Sequence, residues 1–133
     1  MKYFLDSNTC IWLLSGKQQN VINRYKATPF DDMALPSVVA AELLYGAFKS
    51  NKREESLIKI RQFIYQFSII GLDASSAEAY GEIRADLERI GKPIGPNDYF
   101  IAAIAKAHNA ILVTNNTREF KRVSGLSIED WTQ

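Results

Sequence analysis

Three acidic residues stand beside apolar stretches of the sequence, where a carboxylate is not expected simply to face water. Asp6 follows the apolar run 3–5, Glu42 is surrounded by valine, alanine and leucine, and Asp98 precedes the largely apolar run 99–105. Carboxylates brought into one cleft repel each other by roughly 4 kcal/mol per pair at 4 Å and an effective dielectric constant of 20. Such a cluster binds protons or cations, and ligands that are all oxygen favour Mg²⁺ or Mn²⁺. A metal ion held there activates water for attack on phosphorus, so these residues predict phosphodiester hydrolysis.

A polar segment supplies a fourth acidic candidate, Glu119. The segment begins with Thr114, Asn115 and Asn116, directly after the apolar run 110–113. The two asparagines form a turn, or they supply oxygen ligands and hold water beside a metal ion. The polar segment therefore predicts a second source of side chains for the same cleft.

Each acidic candidate also has a purely structural interpretation. Asp98 fits the first turn of a helix, where the helix dipole favours a carboxylate. Glu42 fits a helical residue that faces water, and Asp6 fits a turn after a strand. Glu119 fits an ordinary first turn after a Thr117 cap. On spacing alone, both interpretations stay open.

The elements that must position these residues follow from the apolar patterns. Short apolar runs predict five strands, at 3–5, 33–35, 68–72, 110–113 and 126–128. Amphipathic or apolar runs predict helices at 10–14, 21–26, 38–48, 53–67, 75–90, 96–105 and 117–123. Ser37 and Thr117 are predicted caps, and Ser75 with Glu78 has the spacing of a capping box. Alternating strands and helices predict an α/β fold, a parallel sheet covered on both faces, with its site beyond the carboxyl ends of the strands.

Length and composition predict one domain, over residues 1–133, because 133 residues with 47% hydrophobic content bury one core. Sixteen basic residues against fifteen acidic ones give no strong overall attraction to nucleic acid. The single cysteine, Cys10, has no partner for a disulfide or a thiolate metal site. We therefore expect a soluble, cytoplasmic protein that does not associate with membranes.

The sequence lacks most of the residues that other catalytic or signalling sites would require. A single histidine, His108, cannot build a histidine-rich zinc site or a two-histidine ribonuclease. A receiver-type signalling domain could use Asp73, after the third strand, as its phospho-accepting aspartate, but no acidic pair accompanies Asp6 and no suitable lysine follows the later strands. A phosphatase of the haloacid dehalogenase type would need an aspartate where Asn8 stands. The receiver interpretation stays as a distant alternative.

Four segments in order resemble PIN-domain nucleases and, more narrowly, the VapC toxins of type II toxin–antitoxin pairs. They are residues 5–8 (LDSN), Glu42, residues 95–103 (GPNDYFIAA), and residues 114–116 (TNN) with Glu119 and Phe120. The resemblance covers essentially the whole chain, to Trp131. Each motif alone is weak, and the four together are specific.

The resemblance implies a PIN-like three-layer fold, with a central parallel sheet of about five strands flanked by helices. It implies a Mg²⁺- or Mn²⁺-dependent endoribonuclease in which Asp6, Glu42 and Asp98 are catalytic metal ligands. Glu119 would be the fourth acid, as in a branch that is similar to tRNA-cleaving toxins, so tRNA is the expected RNA substrate. The supporting polar positions are Ser7, Asn8, Thr114, Asn115 and Asn116. The expected partners are a second copy in a homodimer, a VapB-type antitoxin in a hetero-oligomer, and operator DNA through the antitoxin only.

Two departures from the family pattern accompany the resemblance. Ser7 stands where the family often has threonine, and Asn116 stands where many PIN domains have aspartate. Asn116 keeps open the alternative of a catalytically silent PIN-fold binding domain. The basic candidates for phosphate contacts, each of which also fits a solvated helix face, are Lys49, Lys52, Arg53, Arg84, Arg89, Lys92 and Arg118.

Overall fold

The structure, a computed structural model, describes residues 2–133. Its strands are β1 (Tyr3–Leu5), β2 (Met33–Pro36), β3 (Ser68–Ile70), β4 (Ile111–Val113) and β5 (Ser127–Glu129). Its α-helices are α1 (Ser7–Ser15), α2 (Gln19–Ala27), α3 (Ser37–Lys49), α4 (Arg53–Ile64), α5 (Ala74–Arg89), α6 (Pro96–Ala107) and α7 (Thr117–Phe120). A 3₁₀ turn, Phe30–Asp32, precedes β2. Every predicted strand and helix is present, with shifts of a few residues at the ends.

The five strands form one parallel sheet in the order β3-β2-β1-β4-β5. Tyr3 pairs with Met33 on one side and with Ile111 on the other, so β1 is the central strand. The chain moves outward from β1 in both directions, and the order reverses between β1 and β4. Ligands of doubly wound sheets bind at such a reversal, beyond the carboxyl ends of the strands. The sheet confirms the predicted α/β class and the five-stranded parallel architecture.

The core lies around the central strands and the most apolar helix. Phe4, Leu5, Leu35, Leu112 and Val113 are almost completely buried on β1, β2 and β4. Residues 101–105 of α6 are also buried, which explains why that helix shows hardly any polar face. The edge strands β3 and β5 are partly exposed. No helix within residues 2–133 is long and apolar enough to cross a membrane.

The helix caps differ from the sequence predictions at three positions. Asp73, not Ser75, caps α5, and its carboxylate accepts a hydrogen bond from the backbone N–H of Ser76 at 2.8 Å. Ser37 and Thr117 are the first residues of their helices and make no side-chain cap. Each prediction was wrong because a residue nearer the preceding strand already occupies the N-cap position: Asp73, Pro36 and Asn116, respectively.

Candidate active site

The carboxyl ends of the two central strands form the floor of the site. Asp6 directly follows β1, and its backbone N–H donates to the carbonyl oxygen of Val113, the last residue of β4, at 3.1 Å. Thr114 directly follows β4 and is buried. The reversal of strand order thus brings together two sequence segments that are more than a hundred residues apart.

Asp6 is the deepest of the candidate acids, with 6% of its surface exposed. It caps α1, because its carboxylate accepts a hydrogen bond from the backbone N–H of Thr9 at 2.9 Å. Burial raises the pKa of Asp6, hydrogen bonds from Thr114 and Thr9 oppose that rise, and the nearby charge of Glu42 adds to it. Asp6 is therefore both a helix cap and a carboxylate in a poorly solvated position.

Glu42 reaches the same place from the middle of α3. Its Oε1 accepts a hydrogen bond from the Ser7 hydroxyl at 2.7 Å, and its Oε2 accepts one from the Asn97 side-chain amide at 3.5 Å. Glu42 is partly buried, so it is not the solvent-facing glutamate of the structural interpretation. Ser7 keeps the hydroxyl that the usual threonine would supply, and that hydroxyl orients Glu42.

Asp98 lies in the first turn of α6, as predicted, and it is partly buried. A Cβ placed on Gly95 would lie 3.1 Å from Asp98 Oδ2, so the glycine leaves space for the carboxylate. The pKa of Asp98 is raised to about 6, first by burial and then by the charges of Glu119, Glu42 and Asp6. A hydrogen bond with Glu119 also raises it. The charges of the other three acids therefore all act on Asp98.

Glu119 is held by the turn that follows β4. The side-chain amide of Asn116 donates to Glu119 Oε2 at 3.1 Å, and the backbone N–H of Asn116 donates to the Thr114 hydroxyl at 3.0 Å. Asn115 is exposed, and within residues 2–133 its side chain makes no hydrogen bond to protein. The asparagine at position 116 therefore orients an acid instead of supplying one.

A cavity of about 180 Å³ brings these segments together. It is lined by Asp6, Ser7, Asn8, Glu42, Asp98, Ile101, Asn116 and Phe120. Within the described chain, none of the four candidate acids has a lysine or arginine nitrogen within 4.0 Å. The cavity is thus an acidic pocket whose charge the protein itself does not neutralise.

The donor set of the acidic pocket fits a hard divalent cation. Across residues 2–133, no three acidic, histidine or cysteine side chains form a ready-made metal-ligand cluster. Several carboxylate oxygens instead accept hydrogen bonds from nearby protein donors, such as Ser7 on Glu42 and Asn116 on Glu119. Mg²⁺ retains several waters and needs only one or two direct carboxylates, so the all-oxygen pocket suits it without a tight cage. The four acids would hold such an ion partly through water.

Asn97 is a candidate site residue that the sequence analysis did not single out within the segment 95–103. It contacts Glu42 and lines the cavities beside it. A polar residue immediately before Asp98, directly after a glycine and a proline, was the available signal. Contact with Glu42 on another helix could not be inferred from that signal, because it depends on how α3 and α6 pack.

Asp73 and His108, which the sequence analysis considered for competing chemistries, lie outside the acidic pocket. Asp73 follows β3 and is occupied in capping α5, with His108 3.5 Å away. His108 is the C-cap residue of α6. Neither residue lines the acidic pocket, which leaves the receiver-type interpretation without its central aspartate.

Comparison with known proteins identifies the family. The family model described as "PIN domain" matches residues 3–126. The chain is 42% identical over 132 residues to the "tRNA(fMet)-specific endonuclease VapC" of Shigella flexneri, covering 99% of both chains. It is 40% identical over 132 residues to "Ribonuclease VapC2" of Rickettsia felis, covering 98% of both. The crystal structure of DNA-bound VapBC from Salmonella typhimurium contains a chain with a TM-score of 0.92 and 39% identity, with 98% of each chain covered. The chain belongs to the PIN-domain family and, within it, to the VapC ribonucleases.

Proposed function

We propose that this chain is a divalent-metal-dependent endoribonuclease toxin in which Asp6, Glu42, Asp98 and Glu119 hold a Mg²⁺ or Mn²⁺ ion. One observation carries the proposal: three carboxylates, those of Asp6, Glu42 and Asp98, line one pocket. Glu119 lies close enough for its charge to act on Asp98, and within the described residues none of the four acids has a basic partner. Such an arrangement is costly without a cation, since each ionised acid destabilises the others. A hard cation neutralises that charge and brings the phosphate of RNA to the same point.

Protein groups orient three of the four acids before substrate arrives. The Thr9 N–H fixes Asp6, the Ser7 hydroxyl fixes Glu42, and Asn116 fixes Glu119. When bound, the metal ion lowers the pKa of a coordinated water and neutralises charge on the phosphate oxygens. Because the acids are fixed from different elements, little reorganisation is needed when the ion and the RNA bind.

Transfer RNA is the substrate class that we favour. The Shigella flexneri relative is named a tRNA(fMet)-specific endonuclease, and its likeness to this chain extends over 99% of both. This chain also has the glutamate, Glu119, that the sequence analysis associated with tRNA-cleaving relatives. We propose tRNA cleavage on those two grounds.

The partners that we propose follow the same relatives. The structures from Salmonella typhimurium and Rickettsia felis are VapBC complexes bound to DNA. We propose that this chain forms a homodimer, that a VapB-type antitoxin inhibits it in a hetero-oligomer, and that DNA is bound only through the antitoxin. We further propose that residues 1–133 act as a single domain in the cytoplasm.

The test is cleavage of purified bulk tRNA by antitoxin-free protein, with Mg²⁺ or with excess EDTA. The wild type is compared with Asp98→Asn and with Asp86→Asn, an exposed acid that pairs with Arg89 on α5. We expect discrete products that require metal, that disappear in Asp98→Asn and that persist in Asp86→Asn. Absence of cleavage by folded, metal-loaded wild type would refute the proposal in favour of a catalytically silent binding domain.

A further inference from the structure

The hairpin formed by α3 and α4 has a group of cations without acidic partners. Residues 49–61 contain five basic residues against two acidic ones, although the whole chain has a net charge of only +1. The five are Lys49, Lys52, Arg53, Lys59 and Arg61. Within the described residues, none of their nitrogens lies within 4.0 Å of a carboxylate oxygen. This hairpin is thus a local positive surface on a nearly neutral molecule.

Exposed aromatic rings lie beside three of these cations. The Lys49 ammonium lies 5.7 Å from the ring centre of Tyr45. The guanidinium carbons of Arg53 and Arg61 lie 4.9 Å and 5.9 Å from the ring centre of Phe48. Tyr45 remains 64% exposed and Phe48 42% exposed. Exposed rings beside cations form the type of surface that stacks bases and pairs with phosphates in single-stranded nucleic acids.

Two cavities border both the hairpin and residues of the acidic pocket. A cavity of about 800 Å³ is lined by Ser7, Glu42 and Asn97 and also by Tyr45 of the hairpin. A second cavity, of about 290 Å³, runs from Glu42 to Ser50 beside the turn of the hairpin. Because Glu42 lines both cavities and the acidic pocket, a polymer bound at the acids has a direct path onto the hairpin.

We infer that the hairpin surface, defined as Tyr45, Phe48, Lys49, Lys52, Arg53 and Arg61, binds the RNA strand that flanks the cleaved phosphodiester. Bases stack on the two rings, and phosphates pair with the cations. This inference rests on the proposed function and names the path of its substrate. A polyanion with aromatic bases matches both components of the surface, whereas an apolar peptide would leave the unpaired cations unused.

The cations of α5 provide a contrast on the same molecule. Arg84 pairs with Glu88 at 3.3 Å, and Arg89 pairs with Asp86 at 2.8 Å. Arg84 also donates to the Tyr80 hydroxyl at 2.6 Å. These arginines were RNA candidates in the sequence analysis, but their charges are already compensated locally. They are therefore matched controls for removal of positive charge.

The electrostatic test is the salt dependence of binding to labelled bulk tRNA in excess EDTA, where cleavage cannot occur. The triple variant Lys49→Gln, Lys52→Gln, Arg53→Gln is compared with the double variant Arg84→Gln, Arg89→Gln. Each phosphate contact to a single strand contributes about 0.7 to the slope of log K against log salt. We expect the slope of the triple variant to be shallower by about 2 and that of the double variant to be unchanged. Equal slopes in wild type and triple variant would overturn the inference.

The stacking test compares two tyrosines of equal exposure. Tyr45 is 64% exposed and Tyr65, the C-cap residue of α4, is 65% exposed but lines neither of the two cavities. We expect Tyr45→Ala to weaken tRNA binding about tenfold, Tyr45→Phe to retain it, and Tyr65→Ala to leave it unchanged. An equal loss in Tyr45→Phe and Tyr45→Ala would assign the effect to the hydroxyl group and contradict stacking.

A parallel cleavage assay with Mg²⁺ separates failure of this inference from failure of the proposed function. Wild type that cleaves tRNA while all hairpin variants bind it normally refutes the hairpin path and leaves the nuclease intact. Wild type that binds tRNA but does not cleave it in Mg²⁺ refutes the nuclease. Hairpin variants that bind tRNA normally but no longer co-purify with the antitoxin would assign the surface to a protein partner and overturn the inference.

Discussion

Asp6 and Asp73 have the same local structure and opposite environments. Each follows a strand and caps the next helix, through hydrogen bonds of 2.9 Å and 2.8 Å to the backbone N–H three residues on. Asp6 follows the central strand and is 6% exposed, with a raised pKa caused by burial. The Asp73 side chain follows an edge strand and is 55% exposed, with a pKa lowered by its hydrogen bonds to Ser76. Position in the sheet, not the cap, makes one aspartate a candidate ligand and the other a structural residue.

The largest expected effect is a loss of cleavage activity when Asp6, but not Asp73, is replaced by asparagine. Asparagine also caps helices well, so Asp6→Asn and Asp73→Asn remove one charge each and preserve both caps. We expect Asp6→Asn to lower the rate of Mg²⁺-dependent tRNA cleavage by more than about 100-fold, because even partners of metal ligands are worth 10- to 100-fold. Asp73→Asn should retain nearly the full rate. Comparable losses in the two variants would show that the cap, and not the charge, matters.

Stabilisation by bound metal should also distinguish Asp6 from Asp73, and it can be measured without an activity assay. Mg²⁺ or Mn²⁺ at a hundredfold excess over its Kd should stabilise the wild type by about 2.7 kcal/mol, measured by urea unfolding. Asp73→Asn should show the same stabilisation, and Asp6→Asn should show little. If metal stabilises Asp6→Asn as much as wild type, the ion binds elsewhere.

The pH dependence of stability should differ between the two regions. In the metal-free protein, the raised pKa values of Asp6 and Asp98 (the latter about 6) mean that the folded state holds protons that the unfolded state has released. The free energy of unfolding should therefore fall as the pH rises from about 4 to above 6. Asp98→Asn should remove about 1–2 kcal/mol of that fall, after allowance for solvent screening.

Asp73 and added metal serve as controls for that titration. The lowered pKa of Asp73 contributes stability that is present above its ordinary pKa of 3.8 and is lost as the pH falls through its folded-state value. Asp73→Asn should thus leave the slope between pH 5 and 7 unchanged. Saturating Mg²⁺ should flatten the slope in wild type; a slope that persists with Mg²⁺ would place its origin outside the acidic pocket.

The smallest expected effect is a change in the free energy of unfolding that has opposite signs in Asp6→Asn and Asp73→Asn. In EDTA at pH 7, Asp6→Asn should raise the free energy of unfolding, by less than about 1 kcal/mol, because it removes a poorly solvated charge and keeps the cap. Asp73→Asn should lower that free energy slightly, because it removes a well-solvated charge that favours the helix N-terminus. Urea unfolding of both variants measures the two signs, and a decrease in both would contradict the electrostatic distinction.

Much of the site was predictable because its acids follow local signals. Asp6 comes directly after an apolar run, and Asp98 comes directly after a glycine and proline that begin a buried helix. The polar segment after the run 110–113 offered Glu119, and the resemblance to PIN-domain nucleases implied that it is the fourth acid. The role of Asn116 was not predictable, because its hydrogen bond to Glu119 depends on the side-chain conformations in one turn. The capping box at Ser75 was wrong because Asp73 stands two residues earlier and begins the helix first.

The sequence by itself determined the order and type of the elements, the apolar character of α6 and the acidic residues that could bind metal, because periodicity and residue type act locally. Only the tertiary structure decided which residues meet. The order β3-β2-β1-β4-β5 places Asp6 beside the end of β4, and the packing of α3 and α6 brings Glu42 to Ser7 and Asn97. The same strand order leaves Asp73 at the edge of the sheet, after β3. Identical local caps acquire different functions because burial and neighbouring charge depend on distant parts of the chain.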